Sequence, residues 1–305
     1  MTPKDMASSQ IRYTNCPGCG KDLLRPVFKA LDHTVSGTLF EIWECDHCTL
    51  RFTQDVPNPD LIKAYYQSED YISHTDTGRG FINRLYHYVR KRTLEHKRKI
   101  VSSSTGISEG SLLDLGAGTG AFMRHMVKKG WRVSGLEPDE KARERAAIIN
   151  QVELLPVEEM GQMEPRSFDA ISLWHVLEHL HHIHEDLDRL KKLLKPSGRI
   201  LIAVPNYTSY DAAHYKADWA AYDVPRHLYH FSPRSMKHLL NQHGFQLHTI
   251  RPMWYDSFYI SLLSEQYRRG KPNMLAGFIV GGISNAKAML NLERCSSLIY
   301  IIGPA

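Results

Sequence analysis

Apolar positions from Ser111 onward fall into short runs separated by stretches of helical spacing, an alternation that predicts a parallel α/β sheet. The strands expected are Ser111–Leu115, Arg132–Leu136, Val152–Leu155, Phe168–Leu173 and Arg199–Val204. Helices are expected near Ala121–Lys129, Asp139–Asn150 and Ile183–Lys195. A further helix begins with Ser232 as N-cap and Pro233 behind it, and stops at Gly244. Phe245–Ile250 is the sixth strand and Ser297–Ile302 a seventh, which makes Trp254–Arg294 a helical insertion between the last two. Upstream, Thr34–Trp43 supplies strands of a smaller sheet. Pro57 and Pro59 mark a hinge, Leu61–Tyr71 and Gly80–Val101 read as helices, and the SSSTG run at 102–106 reads as a linker.

The turn after the first strand of the main sheet carries the most chemistry. LLDLGAGTG, from Leu112 to Gly120, runs a buried strand into three glycines and a helix start. Glycine at 116, 118 and 120, with Ala117 between, lets a ligand approach the backbone, and the helix N-terminus offers free N–H groups to an anion. Asp114 stands at the carboxyl end of the strand, where open α/β sheets place their ligand crevice. The next strand ends in Glu137-Pro138, and an acidic group there can take both hydroxyls of a ribose. These features predict a nucleoside site. Gly116, Gly118 and Ala121 also satisfy the looser dinucleotide pattern, so the glycines alone admit NAD. The tighter G-x-G-x-G turn, the preceding Asp114 and the lack of a second nucleotide-binding half favour S-adenosylmethionine.

On these residues, the region of about 110–250 resembles a class I S-adenosylmethionine-dependent methyltransferase. The resemblance implies a Rossmann-like seven-stranded sheet whose last strand is inserted antiparallel. It also implies that the glycine turn passes under the methionine part of the cofactor, that Asp114 helps hold its amino end, and that Glu137 binds the ribose. Pro138, after Glu137, and Trp174, at the end of the fourth strand, line the same crevice. Tyr71 and His74 are placed to close over it as a lid.

The cysteines are organised. Cys16-Pro-Gly-Cys19 and Cys45-Asp-His-Cys48 are two CxxC pairs about 25 residues apart, close to zinc-ribbon spacing. Four thiolates make a closed, structural site. Disulfides and a thioredoxin-like redox use are the weaker alternatives, the latter because neither pair precedes a helix in a βαβ unit. Gly20 follows the first knuckle, whereas Thr49 takes that place in the second. Cys295 reads as a buried thiol.

Trp174-His-Val-Leu-Glu-His-Leu-His-His182 follows the fourth strand. His175-Val-Leu-Glu178-His179 matches the H-x-x-E-H motif of zinc proteases, but the strand before it already faces a nucleoside crevice. Related small-molecule methyltransferases carry an H-V-L-E-H-type segment here, lining the transfer site. His175, Glu178 and His179 are therefore candidates to take the acceptor's proton, with His175 preferred for its place at the strand end. Arg226 and His227, in the loop after the fifth strand, form a second group that resembles a P-R-H-L segment of related enzymes. His181, His182 and His184 are expected to face solvent.

Composition narrows these readings. The chain of 305 residues is 42% hydrophobic, enough for a main domain and a smaller one. The expected division is a zinc ribbon at 1–55, a helical lid or linker at 56–105, and the methyltransferase domain at 106–305, with the insertion at 254–294. Arg84, Arg90, Lys91, Arg92, Lys97, Arg98 and Lys99 crowd the second helix and read mainly as a solvated face. A net charge of +5 is modest for binding phosphate chains. The start of the chain shows no apolar leader, and no run of about 18 apolar residues suggests a span, so a cytoplasmic protein is expected. The favoured reading is methyl transfer to a small molecule such as a sugar or metabolite intermediate. The rivals are a ribosomal RNA methyltransferase, against which the Leu-Trp-His strand end argues, and a non-catalytic scaffold. The apolar face of the insertion is expected to cover a sheet edge, to pair with a second subunit as a homodimer, or to touch a membrane.

Overall fold

The computed structural model describes residues 10–66 and 81–305, with residues 81–91 given by their backbone alone. Tyr71, His74 and the end of the helix expected at 61–71 lie outside the described residues. The part inside them is a 3-10 turn over Ile62–Tyr66.

The N-terminal strands β1 (Gln10–Ile11) and β5 (Val56–Pro57) form a short antiparallel pair. Between them β2 (Leu24–Leu31), β3 (Leu39–Cys45) and β4 (Arg51–Thr53) make an antiparallel sheet, broader than the sequence suggested. A fourth strand, Tyr229–His230, joins it from the loop after the fifth main strand, pairing with Phe52 and Arg51. The apolar core is continuous across this junction, where Leu50 and Phe52 pack with Leu228, Tyr229 and Phe231.

Helix α1 (Phe81–Thr105) runs through the serines expected as a linker. Hydroxyls of the run donate back to helix carbonyls, Ser103 to Ile100 at 3.1 Å, Ser104 to Ile100 at 2.7 Å and Thr105 to Val101 at 2.9 Å. A polar run is thereby compatible with a last helical turn. Ile100 and Val101 anchor that turn against Leu112, Phe122 and Met126.

The main sheet contains β6 (Ser111–Leu115), β7 (Arg132–Leu136), β8 (Phe168–Trp174), β9 (Leu194–Pro205), β11 (Phe245–Pro252) and β12 (Ser297–Pro304), β10 being the Tyr229–His230 strand. Its order is β11-β12-β9-β8-β6-β7, with β12 antiparallel to both neighbours and β6 to β9 parallel. The sheet is Rossmann-like, with six strands among the described residues where seven were expected. Residues 152–155 contribute one parallel bridge, Leu155 beside Leu136. Leu155 exchanges hydrogen bonds with Gly135 and Glu137, and Pro156 then has no N–H with which to continue the ladder. Helices α2 (Ala121–Val127), α3 (Glu140–Arg145) and α4 (Ile183–Leu193) connect the parallel strands. β6 is flanked by β7 and β8, so the chain's winding reverses there and the crevice opens at the carboxyl ends of β6 and β8.

After β9 come α5 (Tyr210–Tyr215) and α6 (Pro233–Gln242), the latter started by the Ser232 capping box. The expected insertion is a hairpin of α7 (Asp256–Arg269) and α8 (Met274–Leu290). Gly277 and Gly281 let the two helices meet: a Cβ at either position would come within 2.9 Å of the Cα of Leu262 or Phe258. The hairpin packs on α5 and on the turn at 220–222, while Met274, Leu275, Phe278, Ile279, Met289 and Leu290 face outward. No helix among the described residues is long and apolar enough to cross a membrane.

Candidate functional site

The glycine turn is held from below by β7. The N–H groups of Gly116 and Ala117 both donate to the carbonyl of Leu136, at 2.8 and 3.0 Å. Gly116, Gly118 and Gly120 all have left-handed backbones. A Cβ at Gly116 would lie 2.5 Å from Val176, so position 116 needs glycine for space as well as for conformation. Glu137 spans the turn: one carboxylate oxygen accepts the Gly118 N–H at 2.8 Å and the other accepts the Asp139 N–H at 3.1 Å. Burial raises its pKa. Pro138 follows, its carbonyl tied to Arg143 at 2.9 Å.

Asp114 is 2% exposed and accepts a 2.6 Å hydrogen bond from Ser172 on the neighbouring strand. Burial pushes its pKa up to about 6. Lys97, from α1, is half-buried beside it, its Nζ 4.4 Å from the centre of the Trp174 ring and 5.9 Å from that of Phe122. Burial lowers the Lys97 pKa, and the charges of Asp114 and Asp256 oppose the shift. Lys97 belongs to the basic set read as a solvated face; the sequence showed the charge but not which residue turns inward.

β8 ends at Trp174, and His175 adopts φ 58°, a region that side chains other than glycine rarely occupy. Its N–H still pairs with Ala203 of β9 at 2.9 Å, so the unusual backbone turns the imidazole without breaking the ladder. Nε2 lies 3.0 Å from Asp256 and Nδ1 3.4 Å from Glu178. Burial alone would lower the His175 pKa, but the two carboxylates outweigh it and push it up to about 10. His179 goes the other way: burial, then the charge of His227, lower it to about 4.

His179 Nδ1 lies 3.0 Å from the Arg226 carbonyl and 2.9 Å from the Tyr66 hydroxyl. His227 Nδ1 lies 2.9 Å from the Ala221 carbonyl. The two rings meet edge to face at 4.6 Å. Arg226 donates from Nε to Asp223 at 2.9 Å, pairs with its other oxygen through Nη2, and reaches the Tyr65 carbonyl at 3.0 Å. The structure thus brings His175, Glu178, His179 and His227 together and turns the Arg226 guanidinium toward Asp223 and Tyr65. Asp256 was missed, since it belongs to no local motif and only the tertiary fold brings it here; Asp223, in the same loop as Arg226 and His227, was not among the candidates although its contacts with them are local.

The four paired cysteines converge. Sγ of Cys16 lies 3.6 Å from that of Cys48, and Cys19 the same distance from Cys45. All are free thiols. About 3.8 Å is expected along the edge of a tetrahedron with zinc–sulfur bonds of 2.3 Å. The two knuckles share one backbone pattern: Gly20 N–H bonds Cys16 O, Thr49 N–H bonds Cys45 O, and both residues are left-handed. Two histidines expected in solvent brace this module instead. His184 bonds the Pro17 carbonyl at 2.9 Å and His181 the Pro57 carbonyl at 3.1 Å.

The methyltransferase domain family model matches residues 85–250, more than half of the chain. The chain belongs to that family. Among curated relatives, a ubiquinone biosynthesis O-methyltransferase of Nitrosococcus oceani is 26% identical over 173 residues, 52% of this chain and 71% of that protein. An uncharacterised methyltransferase of Alkaliphilus oremlandii is 28% identical over 113 residues, 36% of this chain and about half (51%) of that protein. The 1,6-didemethyltoxoflavin-N1-methyltransferase of Burkholderia thailandensis, solved with S-adenosylhomocysteine, has a TM-score of 0.50 at 16% identity, covering 90% of this chain and 98% of its own; this likeness is one of fold. This methyltransferase therefore carries an S-adenosylmethionine-dependent domain on a Rossmann-like sheet, with a four-cysteine module folded against it.

Proposed function

We propose that this methyltransferase moves the methyl group of S-adenosylmethionine to an oxygen of a small-molecule acceptor. Gly116, Ala117, Gly118 and Gly120 would cradle the methionine part, with Glu137 on the ribose and Pro138 and Trp174 at its sides. Asp114 would meet the ammonium group, and Lys97 would neutralise the methionine carboxylate. Tyr71 and His74 remain the proposed lid. The observation that carries an oxygen acceptor is the cluster of Glu178, His179 and His227 beyond the end of β8, where a hydroxyl proton can be received. The O-methyltransferase relative agrees with this choice.

In the transfer, the acceptor oxygen attacks the methyl carbon and the sulfur–carbon bond breaks. S-adenosylhomocysteine leaves neutral, and the hydroxyl proton passes to the cluster. Much of the rate comes from alignment, since the sulfonium is already a reactive donor. His175, paired through both ring nitrogens with Asp256 and Glu178, is held as an imidazolium and would offer the acceptor side its positive charge rather than a basic nitrogen.

Cys16, Cys19, Cys45 and Cys48 would hold one structural zinc, which their spacing fits. With four thiolates bound, that zinc leaves no position for a substrate. The test is methyl transfer from labelled S-adenosylmethionine to a panel of phenols, vicinal diols, sugars and amines. Turnover confined to amines would contradict the oxygen reading.

A further inference from the structure

We infer that Glu178, His179 and His227 form a binding site for a divalent transition-metal ion, separate from the four cysteines. The inference rests on the reading of this cluster as the acceptor side of the crevice and says how that side works.

One ligand atom from each of the three residues lies within 4.8 Å of the others. Glu178 is fully buried, and neither of its oxygens receives a hydrogen bond among the described residues. His175 approaches one oxygen to 3.4 Å as an ion-pair partner and leaves the carboxylate's acceptor capacity unfilled. A buried carboxylate without donors is costly; the His175 imidazolium balances its charge in part, and both oxygens stay free of hydrogen bonds and open to a metal ion.

The imidazoles are arranged in the same sense. A carbonyl can only accept, so the contacts at Arg226 and Ala221 fix the proton of each ring on Nδ1. The lone pair is thereby placed on Nε2 of both His179 and His227. Metal-bound histidines are oriented in this way, by donating the other ring N–H to a carbonyl or carboxylate. Asp223 lies 3.8 Å from Nε2 of His227, its charge balanced by the Arg226 guanidinium.

The donor set selects the ion. Two imidazoles and one carboxylate suit iron(II), cobalt(II), nickel(II), manganese(II) or zinc(II), whereas magnesium and calcium prefer an all-oxygen shell. Three protein ligands leave positions open for water or an acceptor oxygen. A hydroxyl bound to such an ion would lose its proton to bulk water near neutral pH, so that with the ion in place the proton leaves the site and the three side chains hold the metal instead.

The full-length protein, with the cysteine site filled by zinc, would be titrated with cobalt(II) and with manganese(II). The expected result is one further equivalent of cobalt with weak ligand-field absorption and no thiolate charge-transfer band. Manganese in the same site should show imidazole nitrogen couplings by pulsed electron paramagnetic resonance. His227→Gln and Glu178→Gln should each weaken that equivalent on the order of a hundredfold. The wild-type resonance experiment stands alone if a variant fails to fold. S-adenosylhomocysteine titrated in parallel separates the two readings. Tight nucleoside binding without the nitrogen-bound equivalent would overturn the metal site, leaving a proton as the cluster's cation. Loss of nucleoside binding would overturn the methyltransferase reading. A second equivalent that survives both substitutions, or one supplied only by magnesium, would also overturn the proposed site.

Discussion

Nε2 of His175, at the end of β8, lies 3.0 Å from a carboxylate oxygen of Asp256, in the first turn of α7. The helical hairpin between the last two strands thus reaches into the centre of the site, and Asp256 together with Glu178 keeps His175 charged. Asp256→Asn should lower turnover by one to two decades, the scale of a lost hydrogen bond to a charged group, ~1.5–3 kcal/mol. The dissociation constant of S-adenosylhomocysteine should change far less. Equal loss in both would show that Asp256 acts through the cofactor pocket.

Cofactor affinity should depend on pH through Asp114. Its carboxyl is raised to about 6 by burial, so it gains a proton as the pH falls through that value and loses the charge that meets the methionine ammonium. Calorimetric affinity for S-adenosylmethionine should weaken below pH 6, by up to about tenfold per unit. Asp114→Asn should give a flat, weaker profile. The sign for folding is opposite. A raised carboxyl favours the protonated native state, so this contribution to stability is present below the ordinary value of 3.8 and is lost as the pH rises through about 6.

Glu137 accepts two backbone N–H groups as well as facing the expected ribose position. Glu137→Ala should cost about 1–3 kcal/mol of nucleoside binding, one to two decades. The far-ultraviolet spectrum should be retained, because the sheet is built by other residues.

Metal removal from the cysteine module should reach the active site. Thr53 of β4 donates to the His227 carbonyl at 2.7 Å and lies 3.1 Å from the His230 ring, so the module grips the loop that carries His227. Chelation or Cys16→Ser should increase hydrogen exchange at 228–230 and reduce turnover more than nucleoside affinity. Elemental analysis of Cys16→Ser should show one zinc fewer per chain than the unsubstituted protein. A zinc content unchanged by the substitution would contradict the ribbon.

What the sequence made legible was local. The run from Leu112 to Gly120 forms β6 and the turn after it, Glu137 follows the end of β7, and the two CxxC pairs converge, each as their local sequence suggests. Two readings failed for local reasons. Ser103 and Ser104 end a helix because their hydroxyls bond back to it, and residues 152–155 stop after one bridge because Pro156 has no N–H. What stayed hidden was long-range. Asp256 meets His175 only through the hairpin, Lys97 is one of several basic residues on its helix, and His184 reaches Pro17 across the module junction. No periodicity encodes such contacts.

The central claim is that the crevice from Asp114 to Glu137 holds S-adenosylmethionine. Isothermal titration of the full chain with S-adenosylhomocysteine and, separately, with NAD tests it most directly. The sulfur nucleoside should bind with micromolar affinity, weakened in Glu137→Ala, and NAD should bind detectably worse. Tight NAD binding with no response to S-adenosylhomocysteine would contradict it.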